Sequence, residues 1–199
     1  MNLLASRNSK MVLFGIDLPG LSINNFLPPV WIIVLTLFLA PLWPWLNKRG
    51  IEPGTPLKFA LSFIFLGAGF YIFYVSCIAN VNTGIISIWP FIWGYCFMML
   101  GELFISPIGL SMVTKLSPQK MVALMMGIWF FATAIGEFLA AKIGSLMSVP
   151  QDILAKNNPI LSLPYYGDII LKISIASFVI GVLLTFTVPF LKRWMGTVR

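Results

Sequence analysis

The chain holds 199 residues, 59% of them apolar, with 13 basic and 6 acidic side chains and a formal net charge of +7. Soluble domains carry roughly 25% charged residues, so the 10% here cannot coat a water-facing core, and a mean hydropathy of +0.94 points the same way. An integral membrane protein is expected, and a soluble domain is excluded.

The positive balance does not argue for a nucleic-acid partner, because Lys and Arg stand in short segments between apolar stretches. The sequence has no His, and Cys77 and Cys96 lack CxxC spacing. No metal site, no cofactor and no enzymatic nucleophile–base pair is therefore expected.

Residues 1–28 are mixed, with Arg7, Lys10 and Asp17, and lack the order of a secretory leader. They read as the stub of a helix followed by a loop broken at Pro19 and Gly20. About 20 apolar residues in helical form cross the hydrocarbon core, and five segments reach that length. They are predicted at 29–46, 59–79, 87–113, 121–147 and 170–191, inside a transmembrane bundle over 29–193, with a tail at 194–199. No segment alternates as a barrel strand would, so the fold expected is all-α. Pro41, Pro44 and Pro107 predict kinks, Gly67 and Gly69 predict an interruption of the second span, and Gly136, Ala140 and Gly144 predict a small-residue packing row.

Lys48, Arg49 and Lys58, then Lys115 and Lys120, then Lys192, Arg193 and Arg199 fall on one side of a five-span count. That bias predicts a cytoplasmic C-terminus and an external loop at 148–168.

An ionisable residue inside a span is costly and is a functional candidate by default. Glu102 lies near the middle of the third span, with no base within reach on its own helix. A carboxyl withdrawn from water favours its protonated form, which suits it to taking up and releasing protons. The alternative is a passive protonated acid bonded to backbone. Glu137 lies within the fourth span, and both readings stay open for it. Lys142 is five residues further and on another face. Trp129, Thr133 and Glu137, spaced by four, form one ridge. A ring, a hydroxyl and a carboxyl in line suit a wet cavity better than lipid.

Residues 101–146 carry Glu102-Leu-x-x-Ser-Pro-x-Gly-Leu-Ser111, then Lys115-Leu116-x-Pro118, then Met126-Gly127-x-Trp129-Phe130. This order closely resembles the proton-dependent oligopeptide transporter family of the major facilitator superfamily. NLLASRN at 2–8 is similar to the end of that family's seventh helix, and TPLKFALSFIFLGAGF at 55–70 to the start of its ninth. The resemblance implies the C-terminal bundle of a symporter of di- and tripeptides with protons, in a bacterial inner membrane. It implies substrate contacts at Glu102, Trp129, Phe130 and Thr133, and proton coupling at Glu102 with Glu137 as a second acid. Two departures stand out. Pro28-Pro29 occupies the place where the family often opens its eighth helix with Asn-Pro, and Glu137 replaces an Asn of the eleventh. The family's first-helix Glu-x-x-Glu-Arg motif is not found, so the chain reads as a fragment, the product of a split or truncated gene, or half of an assembly whose partner is a separate N-terminal half. A carrier of other small solutes and a non-transporting membrane scaffold are the competing readings.

Overall fold

The computed structural model describes residues 2–9, 12–13, 16–17, 20–146 and 159–195. Among the described residues the helices are, in order, α1 (Asn2–Arg7), α2 (Gly20–Lys48), α3 (Thr55–Ala79), α4 (Trp89–Leu116), α5 (Val122–Leu146) and α6 (Pro159–Met195). A short antiparallel pairing sets Val12–Leu13 against Ile16–Asp17 between α1 and α2. Among the described residues five helices, all but α1, are long and apolar enough to cross a bilayer. Lipid offers no hydrogen bonds, so each backbone satisfies itself within its own helix.

The helices start and stop where local chemistry dictates. α3 opens after an extended Gly54 with Pro56 in its first turn, where the missing N–H is no loss. It closes at Asn80, whose side-chain amide donates to the Ser76 carbonyl at 2.9 Å. α4 stops at Ser117, whose hydroxyl and N–H both donate to the Val113 carbonyl, and Pro118 follows. Gly84 turns the chain at φ +70°, and a Cβ there would lie 2.7 Å from the Ile160 backbone nitrogen. Only glycine fits that turn.

α3 is the centre of the bundle, packed between α4 and α6. The close approaches use glycines. A Cβ at Gly69 would lie 2.8 Å from the Gly94 carbonyl oxygen, one at Gly101 2.7 Å from the Ser62 carbonyl oxygen, and one at Gly67 3.1 Å from the Phe178 ring. The buried Ser174 hydroxyl donates to the Gly67 carbonyl at 2.8 Å, stitching α6 to α3. Phe73 sits edge-on to Phe91 at 5.2 Å and to Tyr95 at 5.7 Å, the arrangement favoured by ring quadrupoles. The Tyr95 hydroxyl donates to Asn24 Oδ1 at 2.9 Å and ties α4 to α2. Apolar side chains such as Leu37, Phe131 and Phe186 point outward, as a lipid-facing surface requires.

Several expectations are corrected. α2 begins at Gly20, nine residues before the predicted span, and runs through Pro28-Pro29 and Pro41. Those two prolines therefore lie inside the helix and do not open it, and the loop expected up to residue 28 is shorter. α6 begins at Pro159 and passes Pro164, so the expected external loop loses its second half to helix; residues 147–158 and the tail beyond Met195 lie outside the described residues. Gly67 and Gly69 do not interrupt α3, which is continuous. The row Gly136, Ala140 and Gly144 makes no close contact, and nothing stands within 4 Å of a Cβ built on either glycine. From Phe130 to Ser145 every residue of α5 is exposed. A small-residue row tightens an interface only where a second helix runs alongside, and among the described residues none lies against this face of α5.

Gly94→Ala should therefore lower the melting temperature of the purified protein, because the new methyl lies 2.5 Å from the Phe73 ring. Overpacking of this kind costs about 1–3 kcal/mol. Gly136→Ala, in open space, should change stability by no more than about 0.5 kcal/mol. Equal melting shifts would contradict the packing described.

Candidate functional site

Glu102, Ser106, Gly109 and Val113 recur at intervals of four, three and four, so they share one face of α4. Ser106 Oγ donates to Glu102 Oε1 at 2.6 Å, a short bond that fixes the carboxyl rotamer. Among the described residues Glu102 forms no ion pair, and it lies on an exposed part of α4. The acid is thus held from one side and open on the other. Ser106 stands in the 102–111 motif with no role that the motif assigns, and its i+4 spacing to Glu102 is the signal in the sequence for this contact.

The neighbouring wall comes from α5. The connection from Leu116 to Val122 is short, with a single 3₁₀ turn at Gln119–Met121, so α4 and α5 form an antiparallel hairpin. The Trp129 indole lies directly on Gly109, and a Cβ at Gly109 would collide with the ring. Trp129 closes one side of an apolar crevice of ≈ 510 Å³, lined also by Phe59, Gly109, Met112, Val113 and Met125. Thr133 Oγ1 donates back to the Trp129 carbonyl at 3.0 Å, and Thr133 and Glu137 are exposed. Phe130 is 58% exposed and does not line the crevice.

Helical rise sets the depths. From the Gly109–Trp129 contact, Glu102 lies seven residues along α4, about 10 Å, and Glu137 lies eight residues along α5, about 12 Å. Ser106 and Thr133 fall between these acids and that contact, each on its own helix. Glu137 and Lys142 form no ion pair, in keeping with their different faces. Among the described residues no group of acids and thiols could hold a metal ion.

Gly109→Ala should displace the indole without unfolding the bundle. Its expected signature is a shift of the tryptophan emission with the melting temperature lowered by only a few degrees. An unchanged emission would show that the ring does not rest on Gly109.

The sequence model of the POT family matches residues 11–160. Dipeptide and tripeptide permease A of Erwinia pyrifoliae is 37% identical over 193 residues, which are 97% of this chain and 38% of that protein. Dipeptide and tripeptide permease B of Aeromonas hydrophila is 32% identical over 196 residues, 98% of this chain and 38% of the permease. Among solved structures, tetrameric PepTSo2 aligns with a TM-score of 0.75 and 32% identity, covering 96% of this chain and 38% of that one. A peptide transporter POT in complex with sulfate aligns at 0.77 with 28% identity, over 96% and 35% of the two chains. The chain thus spans less than two-fifths of the length of these relatives.

Proposed function

Since this chain belongs to the POT family, we propose that it forms the C-terminal bundle of a proton-coupled symporter of di- and tripeptides. The observation that carries this reading is the Glu102 carboxyl, placed within an apolar span, braced by Ser106 and otherwise free of ion pairs among the described residues. One carboxyl can hold a proton or a peptide's ammonium group, but not both at full strength. Exchange between the two couples their movements. Desolvation between bundles makes each state worth more than it would be in water.

The other parts follow from the same hairpin. Trp129 offers an aromatic face about 10 Å along α4 from that acid, suited to a peptide plane or an apolar side chain. Thr133 adds a hydroxyl one turn along, and Phe130 widens the apolar surface on the neighbouring flank. Glu137, exposed within the apolar span of α5, serves as a second proton acceptor. Alternating access rocks two bundles about a site at their interface, so a six-helix N-terminal half completes the carrier. The basic turns at Lys48–Arg49 and Lys115–Lys120 face the cytoplasm of a bacterial inner membrane, as does the C-terminus. The protein acts as a carrier and not as an enzyme.

The test is uptake of labelled dialanine by cells expressing this chain with a POT-type N-terminal bundle. Unlabelled di- and tripeptides should compete and free alanine should not. Competition by alanine or nitrate alone would instead favour a carrier of other small solutes, and no uptake with a correctly inserted pair would favour a scaffold. Glu137→Gln should keep dialanine binding while the stimulation of uptake by an inward proton gradient falls several-fold. An unaltered stimulation would remove Glu137 from the coupling.

A further inference from the structure

Lys58 is a cation where the fold has little room for one. It sits in the first turn of α3 and its side chain is 9% exposed, against 29% for its partner Glu52. Its Nζ donates to Glu52 Oε1 at 2.5 Å and stands 4.1 Å from the centroid of the Trp43 ring. A buried charge persists only where ion pairing and close contacts offset its lost hydration. Here both are present, and the cation–π contact is of the strong, desolvated kind.

Trp43 occupies a weak part of α2. It lies between Pro41 and Pro44, each of which lacks the N–H that would bond back to the preceding turn. Side-chain contacts must therefore hold the last turns of α2. On its other side the Trp43 ring meets Phe104 edge-on at 5.1 Å, and Phe104 meets Phe65 of α3 at 5.3 Å. Phe104 is buried and falls midway between Glu102 and Ser106 in sequence. Two residues turn a helix by about 200°, so Phe104 seats α4 from behind while Glu102 and Ser106 face the open side.

We propose that Lys58 is a positioning residue for the Glu102 site, acting through Trp43 and Phe104 to fix the turn of α4 that carries the acid. The proposal deepens the transport reading and rests on it for its functional consequence. Its structural consequence stands alone. With Lys58 paired, the prolyl end of α2, the start of α3 and the middle of α4 are one rigid unit. Without the cation, Trp43 loses its anchor, Phe104 loses its backing, and the Glu102 turn loosens.

The test is hydrogen exchange of the whole chain in lipid nanodiscs, comparing the unsubstituted protein with Lys58→Met and Lys58→Arg. In Lys58→Met, amides over 41–48 and 100–108 should exchange about tenfold faster, while those of α6 over 170–188 stay unchanged. Lys58→Arg, which keeps a cation over the ring, should restore protection. Unchanged exchange over 100–108 would overturn the proposal, and so would a uniform rise across α3 and α6, which marks a general loss of stability. Should Lys58→Met fail to insert, Trp43→Leu reads out the same segments, because it removes the ring that links Lys58 to Phe104: faster exchange over 100–108 supports the proposal and unchanged exchange overturns it. In the completed carrier, Lys58→Met should lower the maximal rate of dialanine uptake, and Lys58→Arg should recover it. Absence of uptake by the unsubstituted carrier would refute the transport reading alone, since exchange over 100–108 decides the positioning role without it.

Discussion

Glu102→Gln is expected to abolish proton-driven dipeptide uptake while leaving the amount of folded, membrane-inserted protein unchanged. Glutamine has the same shape, and its amide oxygen can still accept the Ser106 hydroxyl that now bonds Oε1 at 2.6 Å. What disappears is the charge. A peptide ammonium facing a neutral amide in a desolvated site loses about 2–5 kcal/mol of interaction, roughly thirtyfold to several thousandfold in affinity. The substituted residue can no longer carry a proton either, so both halves of the coupling fail together. Uptake of labelled dialanine, normalised to protein in the membrane, reads the result. Uptake that persists unaltered would remove Glu102 from the mechanism.

Asn8→Leu should produce the largest loss of stability of any single change discussed. Asn8 is fully buried, yet its polar atoms are all used. Nδ2 donates to the Gly84 carbonyl at 3.0 Å and to the Pro159 carbonyl at 2.7 Å, and Oδ1 accepts the Ser162 hydroxyl at 3.0 Å. Its backbone carbonyl accepts the Ile86 N–H at 2.7 Å. One side chain thus joins the end of α1, the α3–α4 turn and the start of α6, at the end of the bundle opposite the basic turns. Leucine fills similar volume but strands the partners, each at about 1–3 kcal/mol. A loss of about 3 kcal/mol or more is expected, seen as a melting temperature lowered by several degrees. A melting curve matching the unsubstituted protein would contradict the hub.

Both predictions concern polar atoms in an apolar bundle, and they differ in how legible they were. Glu102 was readable because a lone carboxyl in a long uncharged run announces its cost. Asn8 was not, because an asparagine near the chain's start looks like a surface residue until α6 folds back over it. The five spans were readable from length and composition, since lipid demands long apolar helices. Their ends were not. Pro28 and Pro29 suggested a boundary, yet α2 continues through them, held to α4 by the bond between Tyr95 and Asn24.

Periodicity also says which residues share a face but not which face has a neighbour. The row Gly136, Ala140 and Gly144 has the spacing of an interface, while the tight contacts fall at Gly67, Gly69, Gly94 and Gly101. Spacing alone puts Glu102 and Trp129 on different spans. Only the docking of the indole on Gly109 joins those two spans next to Trp129. Lys58 was counted as an ordinary loop cation, because the turn through Pro53 and Gly54 that returns Glu52 to it has no periodic signature.

Coupling is measured most directly by dialanine accumulation in vesicles containing this chain together with a POT-type N-terminal bundle. An inward proton gradient should drive the internal peptide above its external concentration. A protonophore should collapse the accumulation to equilibrium, and Glu102→Gln vesicles should accumulate none. Accumulation that ignores the gradient, or that survives Glu102→Gln, would contradict the account.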